Sequence, residues 1–141
     1  MTEPARPGRP HIQLFARDEA SPVRWRLLGG NNRELGRGSD EFHDAVIARR
    51  ELLRLQAIAP SLEHSVQRSP SSTWSWTLTR GGVAVATSGF RYDRLIRCRQ
   101  GLAQFVDVLT GCEVGTNVMY TQSRRWAASF DRTCVQPRGR S

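Results

Sequence analysis

The chain contains no lysine: all 21 of its basic residues are arginine. Such a bias follows from a GC-rich coding sequence as readily as from phosphate recognition, so by itself it carries little functional weight. Cysteine is scarce. Cys98, Cys112 and Cys134 are odd in number and none stands in CxxC spacing, which argues against a disulfide framework and against a paired-thiolate zinc site. His11, His43 and His64 are dispersed and join no HExxH motif, so no metal site is expected. There is no GxSxG elbow, and Gly36-Arg37-Gly38-Ser39 lacks both the GxGxxG pattern and the GK[ST] ending of nucleotide loops. Apolar runs fall far short of the roughly 18–20 residues of a membrane span. The first ten residues hold three prolines and two arginines, not the apolar stretch of a signal peptide. These absences point to a cytoplasmic protein with reduced thiols, no cofactor, no metal, no membrane association and no enzymatic activity.

What is present is periodicity. A chain of 141 residues, 38% hydrophobic and 24% charged, is most simply one domain with a useful core. From Ile12 onward Ile12, Leu14 and Ala16 alternate with Gln13 and Phe15, and after a turn Val23, Trp25 and Leu27 alternate with Arg24 and Arg26. Both stretches have strand periodicity. Gly29-Gly30-Asn31-Asn32 is a hairpin signal, since Gly and Asn tolerate positive φ. A third strand is expected over Leu35–Phe42. Ala45, Ala48, Leu52 and Leu55 then share one helical face, with His43 or Asp44 at the start and Pro60 beyond the end.

The order then repeats. Expected strands run from His64 to Arg68, through Trp74, Trp76 and Leu78, and from Val83 to Tyr92. Arg80-Gly81-Gly82 forms the hairpin, and Leu95, Cys98, Leu102, Phe105 and Leu109 form a helix stripe after an Asp93 cap. Arg17, Trp25 and Leu27 recur as Arg68, Trp76 and Leu78; Phe42, Ala45, Ala48, Leu52 and Leu55 recur as Tyr92, Leu95, Cys98, Leu102 and Phe105. The expectation is an α+β fold of two tandem β-β-β-α units, residues 12–57 and 63–109, forming an antiparallel sheet with helices packed on one face. Residues 1–11 read as a flexible arm and residues 110–141 as a partly flexible extension, in which Val118–Phe130 is an extra strand or short helix covering the domain, or a docking segment.

The motifs resemble the YegP-like tandem-repeat family, whose domain has no assigned function. In the first half Phe15 and Arg17, Trp25 and Leu27, Gly30-Asn31, Leu35, Ser39 and Phe42 carry the likeness. In the second it is carried by Arg68, Trp74, Trp76, Leu78, Gly81-Gly82, Val85-Ala86, Ser88 and Tyr92. The first half departs from the second with Gly36 in place of Ala86, and residues 110–141 lie outside the pattern. The resemblance implies a two-layer α+β fold and supplies no catalytic residues.

Charge sharpens one further candidate. Residues 12–57 hold eight arginines against seven acids, whereas residues 110–141 hold five against two. Arg24 and Arg26 on an outer strand face, Arg91, Arg94 and Arg97 around the second helix, and Arg124 and Arg125 in the extension could engage phosphates without reading bases. Arg6-Pro7-Gly8-Arg9-Pro10 and Pro137-Arg138-Gly139-Arg140 approach the Arg-Gly-Arg-Pro core of an AT-hook without matching it. Trp25, Trp74 and Trp76 could stack on bases, although the placement of Trp25 and Trp76 on inward faces favours core packing. Tyr120, Trp126 and Phe130 are candidate contacts for a partner protein or a second copy, as in a homodimer. The reading is therefore a non-enzymatic interaction module, with sequence-independent nucleic-acid or other polyanion binding as the alternative.

Overall fold

A computed structural model of the protein describes residues 8–122. Three strands, β1 (His11–Ala16), β2 (Arg24–Leu28) and β3 (Glu34–Gly38), lead into helix α1 (Ala45–Ile58) and a 3-10 turn at Ala59–Ser61. Three more, β4 (Glu63–Arg68), β5 (Trp74–Arg80) and β6 (Val83–Thr87), lead into helix α2 (Leu95–Gly111), and β7 (Val114–Tyr120) follows. The seven strands form one sheet in the order β4-β5-β6-β3-β2-β1-β7. It is thus a mixed α+β fold.

Alternating burial fixes which face of the sheet meets the helices. Ile12, Leu14, Ala16, Trp25, Leu27, Trp76, Leu78 and Ala86 are buried against Ala48, Leu52 and Leu55 of α1 and Cys98, Leu102, Phe105 and Leu109 of α2. The other face carries Gln13, Arg26, Arg37, Thr87, Thr77 and Ser65, which lie in register across six strands. The core is therefore one-sided, as antiparallel sheets permit. Phe105 sits at its centre, 6.2 Å from the Trp25 ring and 4.6 Å from the Trp76 ring.

The expected antiparallel sheet is corrected at one edge, where β7 pairs parallel to β1, from Ile12 opposite Val114 to Ala16 opposite Tyr120. Parallel neighbours need a long crossover, and α2 returns the chain from β6 to the far edge. The third strands are shorter than expected, because the chain bends at Ser39 and at Gly89 and Phe90 before Phe42 and Tyr92 pair back to Val23 and Trp74. β1 also starts at His11, one residue earlier than expected, and Gly8 N donates to Gly30 O at 3.1 Å. The Arg17–Arg68 match falls one residue out of step. Leu14 pairs with Trp25 and Val66 with Trp76, which puts Ala16 in the place of Arg68. Turns of unequal length precede β2 and β5, so a fixed offset fails there.

The two helix starts differ, and here the Asp93 cap is corrected. Asp44 caps α1, its side chain accepting from Ile47 N at 2.9 Å. The cap position of α2 is Arg94, which makes no side-chain capping bond; Asp93 lies one residue too early to reach the first-turn amides. Arg94 also sets a cation at the positive end of the helix dipole. Arg94→Asp should therefore stabilise the protein by about 0.5–2 kcal/mol, and Asp44→Ala should cost about 1 kcal/mol. Urea melts of both variants check the pair; an unchanged or lower midpoint for Arg94→Asp would refute the capping argument.

Candidate binding surface

Outside the core, the described residues offer three features that could receive a ligand: the open sheet face, the turn before α2, and a small cavity beside α1. On the open face Phe15 is the aromatic centre. The Arg26 guanidinium lies 4.8 Å from its ring centroid and that of Arg24 5.9 Å, within cation–π range. Met119 of β7 stands opposite Phe15, and its sulfur accepts from Gln13 Nε2 at 3.4 Å. Arg26 is tied further inward, donating from Nε to Gln13 Oε1 at 2.6 Å and lying 3.8 Å from Glu34. Glu34 in turn takes two hydrogen bonds from Arg37, both at 2.7 Å. This pairing raises the Arg37 pKa, through the Glu34 hydrogen bonds first, which outweigh the opposing effect of burial, with the Glu34 charge adding to the rise. The middle of the face is consequently a paired network in which one carboxylate meets two guanidiniums, leaving one positive charge in excess, and Arg26 is half committed to it.

The turn before α2 is different. Arg91, Arg94 and Arg97 are exposed, and none forms an ion pair among the described residues. β3 and β6 run antiparallel side by side, so the turn after β6 leaves from the opposite end to the turn that leads back to Val23 beside Arg24. The structure therefore does not bring the candidate arginines into one patch: Arg24 and Arg26 lie on the open face, Arg91, Arg94 and Arg97 at the far end. Arg124, Arg125, Trp126 and Phe130 lie outside the described residues. Tyr120, the third candidate partner contact, is exposed at the end of β7.

The cavity lies between α1 and the sheet, with a floor of Trp25, Phe42, Leu55, Ile58 and Val85 and a rim that includes Asp40, Glu51, Arg54 and Arg80. Its volume is about 70 Å³, well below the roughly 300–1,000 Å³ of small-molecule sites. Among the described residues no group of three His, Cys, Asp or Glu side chains could hold a metal ion. Burial pushes the Cys98 and Cys112 thiols above the ordinary cysteine pKa, the opposite of what an activated thiolate needs. Trp25 and Trp76 are buried in the core and offer no face to a base. The Gly36-Arg37-Gly38 segment is strand, not a phosphate loop.

No protein-family model matches the sequence, and no curated protein matches it either. Two solved structures are similar. One is a protein of unknown function, yegP from E. coli, with a TM-score of 0.62 and 14% identity over 78% of this chain and 94% of that one. The other is a UPF0339 protein from Shewanella oneidensis, with a TM-score of 0.55 and 10% identity over 80% of this chain and 92% of that one. The fold is YegP-like. At such identity the likeness concerns backbone architecture alone, so the YegP-like fold assigns no role to Phe15, Arg24 or Arg91. Among the described residues no helix is long and apolar enough to cross a membrane.

Sequence reasoning placed Gln13 and Phe15 outward without singling out either as a surface feature, weighed Arg37 only as part of a nucleotide loop, and gave Glu34 no role. Alternation identifies the face on which a residue lies. It does not identify which strands meet, and the Arg26–Glu34–Arg37 network depends on the β2–β3 register.

Proposed function

We propose that the protein is a non-catalytic interaction module, acting through self-association or a protein partner in a cytoplasmic setting. The observation that carries this reading is shape: an open sheet face that presents Phe15 and the exposed Met119 at its β1–β7 edge, with the exposed Tyr120 at the end of β7, and on the helix side a cavity too small for an ordinary substrate. Aromatic and Met side chains with Arg neighbours are what interface centres are made of. Tyr120, with Trp126 and Phe130 beyond it in sequence, is the proposed contact. We also infer that the halves are copies of one β-β-β-α unit. The matching Val23–Phe42 and Trp74–Tyr92 bridges and the buried pairs Ala48/Cys98, Leu52/Leu102 and Leu55/Phe105 support that reading.

The nucleic-acid reading keeps one favourable observation, the unpaired Arg91, Arg94 and Arg97, and loses Arg26 to Glu34. Sedimentation velocity over a concentration series, on the full chain and on a chain ending at Gln122, decides between the two. Removing all of residues 110–141 would delete β7 and confound the result. The interaction reading expects mass above the monomer and a loss of association for the shortened chain. A chain monomeric at every concentration that binds DNA, RNA and a polyanion control in a salt-sensitive way would instead establish the alternative.

A further inference from the structure

The turns that lead into the two helices hold matching places and carry opposite charge. Phe42 bridges to Val23 and Tyr92 to Trp74, and Asp44 and Arg94 are the respective cap residues. Counting back from the caps, Glu41 stands in one turn where Arg91 stands in the other. Arg97 extends the basic turn at the position held by Ile47 in α1. Each turn adjoins an exposed apolar side chain in the first turn of its helix, Val46 at 75% exposure and Ile96 at 58%, and the basic turn adds Phe90 at 38%.

We propose that these turns are the two halves of one head-to-tail contact between copies of this chain, the basic turn of one molecule seated on the acidic turn of the next. The inference rests on the interaction-module reading. Charge complementarity carries it: Arg91, Arg94 and Arg97 face outward without ion pairs among the described residues, and so does Glu41. Neighbouring charges do not cancel either side. Arg24, next to the acidic turn, is drawn over Phe15. Asp40 lines the cavity with Arg54 and Arg80, which leaves Glu41 to face outward. The Glu34 carboxylate beside Gly89 is taken by Arg37 and Arg26, which leaves Asp93 against the three arginines. Antiparallel β3 and β6 send the turns out at opposite ends, so copies joined end to end make a heterologous contact that leaves one turn free at each end of the chain of molecules. Contacts set by opposed exposed charges are specific and screened by salt.

The test is light scattering and sedimentation on the full chain. In about 50 mM salt the mean mass should climb continuously with concentration, and in about 500 mM salt, where the screening length falls to about 4 Å, it should return to the monomer. Two variants reverse one turn each. Arg91→Glu with Arg94→Asp makes both turns acidic and supplies a helix cap. Glu41→Arg with Asp44→Asn makes the other turn basic and keeps a capping side chain. Each variant alone should associate roughly tenfold or more weakly, and mixing the two should restore association, a result misfolding cannot produce. Wild-type association unaffected by either reversal would overturn the inference and leave the interaction-module reading standing. A wild type monomeric at every concentration would overturn the inference and the self-association half of that reading together. Oligonucleotide binding by a monomeric chain, abolished in Arg91→Glu/Arg94→Asp, would overturn it in favour of phosphate recognition.

Discussion

Replacing Phe105 by alanine should remove about 3–5 kcal/mol of folding free energy. Phe105 is fully buried and shared between the halves, with Trp25 stacked on it at an interplanar angle of 20° and Trp76 tilted against it at 48°. Truncation leaves a void bounded by two indoles, which cannot collapse without pulling β2 and β5 toward α2. Aromatic pairing adds about 0.5–1.5 kcal/mol beyond area burial. Since domains of this size are stable by roughly 5–15 kcal/mol, the variant should be marginal. At a urea slope of about 1–3 kcal/mol/M the midpoint should fall by about 1 M or more. Leu55→Ala, at the matching place in α1, should cost about 2–4 kcal/mol, less than Phe105→Ala because fewer atoms leave. The exposed Gln104 is the control, since its truncation should stay within about 0.5 kcal/mol. A Phe105→Ala loss no larger than that of Leu55→Ala would deny Phe105 its place at the centre.

Much of this core is visible in the sequence because both kinds of element bury one side only. Leu14, Trp25, Leu27, Trp76 and Leu78 alternate, Ala48, Leu52, Leu55, Cys98, Leu102, Phe105 and Leu109 recur with helical spacing, and all are buried. Local chemistry also located the turns: Asn32 and Ser72 adopt positive φ, as do Gly81 and Gly82. What sequence could not supply depends on pairs distant in the chain. The parallel seat of β7 beside β1 is set by where α2 delivers the chain, not by any property of Val114–Tyr120. Arg26 alternates as an outward residue whether or not Glu34 neutralises it. Arg94 illustrates a different limit. A one-residue shift in the cap position turns a favourable Asp93 into an exposed Arg at the positive end of a helix, and end positions are the least certain part of any periodic pattern. For the binding surface, charge counting overstated the arginines as a group, because burial beside Phe15 and pairing to Glu34 are properties of the folded sheet.

The departure of Gly36 from Ala86 is the sequence difference that the structure explains most directly, and it predicts the second large effect. A methyl built on Gly36 would lie 2.6 Å from Phe105 Cδ1 and Cε1 and 2.7 Å from Trp76 Cη2, far inside van der Waals contact. The matching residue Ala86 is fully buried yet keeps its methyl, and the α1 residue in the place of Phe105 is the smaller Leu55. Glycine at 36 and phenylalanine at 105 are thus complementary choices at one packing site. Gly36→Ala should destabilise by about 1–3 kcal/mol through overpacking, even though a strand glycine otherwise gains about 0.5–1 kcal/mol on becoming alanine. In a Phe105→Leu background the ring is gone and Trp76 has room to shift, so the same change should become neutral or stabilising. The double-mutant cycle should therefore return a coupling of about 1–3 kcal/mol, read from urea midpoints of the wild type, both single variants and the double variant. Equal costs for Gly36→Ala in the two backgrounds would show that backbone conformation, rather than the Phe105 ring, requires the glycine.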